Sequence, residues 1–243
     1  MSLVGGLTFL LWLLAVTSTE ASHAQENLDP DDVWSTWTIP KIERDWLRCG
    51  KRKVSPIYTP EMWMLLREEY HSMMESSPPD THTSPVYYDG FSVDFETKVS
   101  VEKGRGNYAV KGIPKGSLIW KSTFTVAFRD GDSYRQFLRR VSPSMGCDVI
   151  MWTYTRRDRE GKMMACIDLD AGSYTNSAES DEEMSVAVLD GQPLNTGCDL
   201  EMYATRDIRE GEELAMDYSF HSGENGWVEM GLDEFDEEEG AEF

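Results

Sequence analysis

The stretch that most constrains this chain runs from Gly197 to Phe220, GCDLEMYATRDIREGEELAMDYSF. Charged and apolar residues alternate through Asp199-Leu200-Glu201-Met202-Tyr203-Ala204, the period of two expected of a strand with one buried face. Arg209-Glu210-Gly211-Glu212 then breaks the alternation, and Gly211 tolerates the positive φ that a tight turn needs. A second extended piece, Glu213 to Tyr218, leaves that turn. A phenol held on such a framework either does proton or electrostatic work or is an anchor whose hydroxyl finds a partner. Spacing alone leaves both roles open.

Length and charge narrow the class. A chain of 243 residues, 40% hydrophobic and 11% aromatic, can bury one substantial core and suits a globular protein. A formal net charge of −21 argues against a nucleic-acid backbone as partner, because such binders cluster Lys and Arg. It favours a basic protein or peptide as partner and equally serves to keep the surface solvated. Eight of those acids fall between Glu229 and Phe243 with no base among them, so residues 223–243 read as an acidic, disordered tail.

At the other end, Leu3 to Val16 is apolar apart from Thr8 and gives way to small polar residues around Ala24. That pattern matches a signal peptide over residues 1–24, although no Lys or Arg precedes the apolar run. An uncleaved anchor is the second reading, but the run is short of the ~20 residues that span a bilayer. No membrane span is expected in the mature chain, which would enter the secretory pathway or the extracellular space. Cys49, Cys147, Cys166 and Cys198 lack the close pairing of a zinc cluster, so no metal site is predicted. One or two disulfides are possible in an oxidising compartment, in a pairing the sequence does not give. Buried small hydrophobes are the default for Cys147 and Cys166.

Residues 25–85 form a Trp-rich lead-in and a linker. Thr59-Pro60-Glu61 opens a helix toward Met74, with Met62, Leu65, Leu66, Glu69 and Met73 on one side as a packing face. The prolines from Pro78 to Pro85 mark a boundary. From Val86 the chain is strand-rich, and Gly104-Arg105-Gly106 lets a backbone pass close to a ligand. Asp132 is expected to cap a helix through Val141, with Arg135, Arg139 and Arg140 outside. Asp148–Tyr154 and Lys162–Leu169 read as a hairpin about the turn at Arg157–Gly161.

Four motifs in order carry a resemblance: Gly104-Arg105-Gly106, the strand after Ile113-Pro114-Lys115-Gly116, Tyr174-Thr175-Asn176, and Glu212-Glu213-Leu214 with Asp217-Tyr218. Together they resemble the SET-domain protein lysine methyltransferases over roughly Val86 to Phe220. The resemblance implies a mostly β, β-clip-like fold with short helices, knot-like C-terminal threading and a helical N-terminal lead-in, the SET domain occupying residues 86–222. It implies S-adenosylmethionine as cofactor, held by Lys103, Gly104, Arg105, Gly106, Asn107 and Tyr108 on one side and Asn176 and Ser177 on the other. Tyr218 becomes the catalytic residue, while Tyr174, Met216 and Phe220 become walls of a lysine channel. Met216 brings no hydroxyl to that channel, so more than one methyl group is expected to fit. Ser177 stands where the family carries histidine, and no Pro-Asn pair follows. A catalytically inactive SET-fold scaffold is therefore the alternative.

Overall fold

In a computed structural model of the protein, residues 34–51, 56–74, 89–188, 197–218 and 226–234 are described. The expected signal peptide, the Pro-rich boundary and Phe220 lie outside these residues. Thr59 and Pro60 start helix α1 (Pro60–Met73), as the proline position predicts. Its buried face is the expected one in part: Leu66 is fully buried, and Met62 and Met73 pack against the core. Trp63, Leu66 and Arg67 point inward whereas Leu65 is 53% exposed, because the large Trp63 ring takes the core side.

The domain that follows is built from three small antiparallel sheets. Strands β1 (Phe95–Ser100) and β2 (Gly104–Ala109) form a hairpin. Strand β3 (Leu118–Lys121) starts the second sheet and β4 (Thr125–Phe128) the third. Helix α2 (Gly131–Arg140) follows, capped by Asp130 rather than Asp132: the Asp130 carboxylate accepts from Ser133 N at 2.7 Å. Arg135, expected outside, is 5% exposed on the same stripe as buried Gly131 and Leu138, and its guanidinium donates to the carbonyls of Trp37 and Gly231.

The segment Asp148–Trp152, expected as strand, belongs to helix α3 (Pro143–Trp152). Ser142 caps it and Pro143 begins it, a local start signal that overrides the apolar run. The hairpin survives in shorter form as β5 (Tyr154–Arg157) and β6 (Met163–Asp168), with β6 central in the order β4-β6-β5. Every residue of β6 is buried, as its continuous apolar sequence requires.

Strand β7 (Val186–Ala187) and β8 (Glu201–Ala204) complete the second sheet in the order β3-β8-β7. Short helix α4 (Gly226–Glu229) and the residues after it pack back on the core. Leu232 is fully buried, and its carbonyl accepts from Ile39 N at 2.7 Å. Residues 226–234 are therefore not solvating tail, because an apolar Trp-Val-Glu-Met-Gly-Leu run interrupts the acids there. The cysteines expected as small hydrophobes are bridged, Cys49 to Cys147 and Cys166 to Cys198. The first bridge ties the lead-in to α3, and the second ties β6 to the approach of β8.

Candidate active site

Strand β2 divides the predicted cofactor residues between its two faces. Gly104, Gly106 and Tyr108 fall on one side, Arg105 and Asn107 on the other, because successive side chains of a strand alternate. Asn107 is fully buried; its amide donates to Ala171 O at 2.7 Å, and its oxygen accepts from Thr97 Oγ1 at 2.8 Å. Arg105 is 8% exposed and forms an ion pair at 2.7 Å with fully buried Asp148. These two side chains belong to the core, which is compatible with the largely main-chain cofactor contact that the resemblance implies for this segment.

On the glycine face, a Cβ at Gly106 would lie 2.3 Å from Glu213 Oε1 and 2.9 Å from Asn176 Nδ2. Only a residue without a side chain lets these groups sit against the backbone. Asn176 Nδ2 donates to Arg105 O at 3.0 Å and to Glu213 Oε1 at 2.7 Å. The predicted asparagine and the GxG strand therefore meet, and Glu213 joins them. Sequence reading placed Glu213 at the head of the extended piece and within the Glu212-Glu213-Leu214 motif but gave it no role in the site. Its signal was position, two residues beyond Gly211 on the piece that leads to Tyr218.

Beyond Glu213 opens a cavity of about 330 Å³ lined by Lys103, Tyr108, Glu183, Arg206 and Glu213, with Ser100, Glu102, Glu212 and Ala215 completing its wall. Lys103 Nζ lies 3.1 Å from Glu183 and 3.8 Å from Glu179, and the Glu183 carboxylate accepts from Glu179 N. The acidic run after Asn176 is thereby folded across to the GxG strand. Its opposite charge holds Lys103 above its ordinary pKa, chiefly through the hydrogen bond to Glu183.

The piece carrying Tyr218 runs between two other segments through main-chain contacts. Met216 makes parallel bridges to both Ser177 and Val186. Its N–H donates to Asn176 O at 3.0 Å, and its carbonyl accepts from Ala178 N at 2.8 Å. Those contacts are made by main chain and do not depend on the side chain at 177. Met216 itself is 4% exposed, buried in the core rather than forming an open channel wall.

Tyr174 is likewise corrected. It is 2% exposed, packs on Trp63 and Trp152 at centroid distances of 5.5 Å, and its hydroxyl accepts from Tyr58 N. It is an anchor, which answers for Tyr174 the question the sequence posed for Tyr218.

Tyr218 differs. It is 46% exposed, and its hydroxyl donates to Thr175 O at 2.7 Å, one residue before Asn176. Burial around the hydroxyl, and then the charges of Asp168 and Glu213, push its pKa up to about 12. The phenol stays neutral at physiological pH and is a donor rather than a base. Behind it lies an acid pair that the sequence hid at the end of an apolar strand. Asp168 accepts from Thr125 Oγ1 and Tyr154 Oη, and Asp170 from the N–H groups of Gly90 and Gly172. Burial raises Asp168 to about 6, and burial together with the Asp168 charge raises Asp170 to about 7.

A SET-domain family description matches residues 104–219. Among solved structures, the methyltransferase domain of human histone-lysine N-methyltransferase SETMAR is similar, at 18% sequence identity and a TM-score of 0.36. The similarity covers 54% of this chain and 46% of that one. Among curated proteins none matches. The matched residues begin at the first glycine of β2 and end just past Tyr218, and they include Gly106, Asn176, Glu213 and Tyr218. Residues 104–219 are a SET domain.

Proposed function

We propose that this chain is an S-adenosylmethionine-dependent protein-lysine N-methyltransferase acting on a basic protein or peptide. The observation that carries the reading is the glycine face of β2. It meets Asn176 and Glu213 and adjoins a charged cavity, and the Asn176 turn also holds the Tyr218 hydroxyl.

The residues present fit the cofactor. Glu183, Glu212 and Glu213 offer carboxylates for its ammonium and sulfonium charges, Lys103 and Arg206 offer cations for its carboxylate, and the Tyr108 ring offers an apolar surface. When bound, S-adenosylmethionine supplies an electrophilic methyl group on a sulfonium. The chain contributes alignment, which for a well-oriented pair can be worth on the order of 7–11 kcal/mol. Neutral Tyr218 orients the incoming amine and does not deprotonate it, since its own pKa lies near 12. Substrate lysine, with an ordinary pKa of about 10.4, loses its proton to solvent before transfer.

For the compartment we propose the secretory pathway or the extracellular space. Two disulfides persist in an oxidising environment, which supports the secretory or extracellular reading of the leader. Among the described residues no helix is long and apolar enough to cross a membrane.

Calorimetric titration of the protein with S-adenosylmethionine, beside Asn176→Ala, tests the cofactor step. Heat that disappears in Asn176→Ala supports the site. Absence of heat in the parent protein favours the inactive scaffold instead. Methyl incorporation into a lysine-containing peptide library, abolished in Tyr218→Phe, tests catalysis.

A further inference from the structure

The same strand that borders the cofactor cavity is clamped from its other face. Asp148 Oδ1 accepts from Arg105 Nη2 at 2.7 Å. Its second oxygen accepts from Arg105 Nη1 at 3.2 Å and from Tyr58 Oη at 2.9 Å. Arg105 Nη1 also donates to Pro56 O at 2.9 Å. The guanidinium lies 4.9 Å from the Trp152 ring and 4.8 Å from the Tyr174 ring, so aromatic faces replace water around the charge. Lead-in, α3, β2 and the Tyr174–Asn176 turn therefore converge on one buried ion pair. The neighbouring residue Cys147 carries the disulfide to Cys49, which fixes the lead-in to the same point of α3.

A buried ion pair is poor evidence for stability, since hydrophobic replacements of similar volume often do as well. Its geometry does more than hold the fold. Arg105 is the residue whose main-chain carbonyl accepts from Asn176 Nδ2. Any rotation of β2 that follows the Arg105 side chain also moves the acceptor of the Asn176 amide, and with it the Glu213 contact.

We infer that Asp148 is a positioning residue for the cofactor site: acting through Arg105, it sets the strand on which Asn176 rests. The lead-in residues Pro56 and Tyr58 belong to this support. The inference rests on the methyltransferase reading for its ligand but not for its geometry.

The decisive variant is the paired replacement Arg105→Met with Asp148→Leu, which removes both charges together and leaves no buried ion unpaired. Two quantities are measured: the affinity for S-adenosylmethionine and the side-chain amide resonance of Asn176 in a ¹⁵N–¹H spectrum, assigned with Asn176→Asp. The expected result is a folded protein by thermal unfolding, a dissociation constant raised about tenfold, and a displaced or broadened Asn176 resonance. A folded double variant with unchanged affinity and an unmoved resonance overturns the proposal. If the parent protein binds no S-adenosylmethionine, the methyltransferase reading fails, and the resonance alone decides the positioning role. Should the double variant not fold, Asp148→Asn and Tyr58→Phe decide the question by the same two measurements. Both keep the packing and weaken one contact each, and Asp148→Asn must move the Asn176 resonance more than Tyr58→Phe.

Discussion

The two faces of β2 carry opposite kinds of residue for opposite purposes. Arg105 and Asn107 face inward, where both Nη atoms of Arg105 and both amide atoms of Asn107 have fixed partners. Gly104, Gly106 and Tyr108 share the other face, where Glu213 and Asn176 lie against Gly106 and Tyr108 borders a cavity lined mostly by charged side chains. One six-residue strand thus separates what holds the domain together from what can receive a ligand. Substitutions on the two faces should differ in kind, in stability on one side and in binding on the other.

The largest effect is expected on the inner face. Arg105→Ala leaves Asp148 buried without its cation, and breaking a buried pair from one side typically costs 3–5 kcal/mol. About 4 kcal/mol of unfolding free energy should be lost, lowering the midpoint by roughly 10 °C for a chain of this size. Thermal unfolding followed by circular dichroism measures it. A loss as small as that of a surface arginine would break the comparison.

Next comes a pH effect that also belongs to the inner face. Asn107 leans on Ala171, in the turn Ala171–Tyr174 that Asp170 caps. Around Asp170 stand Gly90 N, Gly172 N and Trp120 Nε1, with Asp168, Asp89 and Arg67 as the neighbouring charges. Because its folded pKa of about 7 exceeds the ordinary 3.8, the folded state holds this proton more tightly than the unfolded chain. The resulting stabilisation is complete below about pH 4 and is lost as pH rises through 7. Between pH 5 and pH 7.5 denaturant titrations should show a share of about 2 kcal/mol from Asp170 in favour of pH 5, to which Asp168, with a pKa of about 6, adds in the same sense. Asp170→Asn should flatten most of that share. A protein more stable at pH 7.5 than at pH 5 contradicts the assignment.

On the cavity face the effect should be one of affinity. Gly106→Ala pushes its methyl group into Glu213 Oε1, the movable end of a side chain, so the fold is retained and Glu213 leaves Asn176. S-adenosylmethionine should bind about tenfold more weakly, about 1.4 kcal/mol, with a midpoint within a few degrees of the parent. A large loss of stability instead would show that this face is structural too.

How much of this was legible in the sequence follows the same division. The glycine face was readable because glycine spacing reports backbone approach, and the Tyr218 piece because its turn and alternation are local. The inner face was not. Whether Arg105 points to a ligand or to Asp148 depends on where α3 lies, and α3 itself was hidden under an apolar run that resembled a strand until Ser142 and Pro143 were weighed as a helix start. Tyr174 and Met216 were assigned to a channel through the resemblance, from their places in or beside its motifs, but a place along the chain says nothing about which way a side chain turns. The disulfides were beyond reach for the same reason, since their partners are 98 and 32 residues apart. What sequence reported well was local backbone shape, and what it reported poorly was the partner across the fold.

The smallest effect sharpens the comparison most finely. Lys103 stands at the edge of the cavity face, and its side chain is 21% exposed against 47% for that of Glu183. An exposed pair of this kind contributes little to folding, so Lys103→Ala should leave thermal unfolding where it was. Its influence on a ligand would be through charge: with Lys103 gone, Arg206 is the remaining cation lining this cavity, and the carboxylates dominate. S-adenosylmethionine affinity should fall about threefold at ~0.02 M salt. The gap between variant and parent should close toward 1 M, where the screening length shrinks to ~3 Å. A deficit that persists at high salt would mean that Lys103 acts through the Glu179–Glu183 turn as a structural clasp. The boundary between the two faces would then run through Lys103 instead of along the strand.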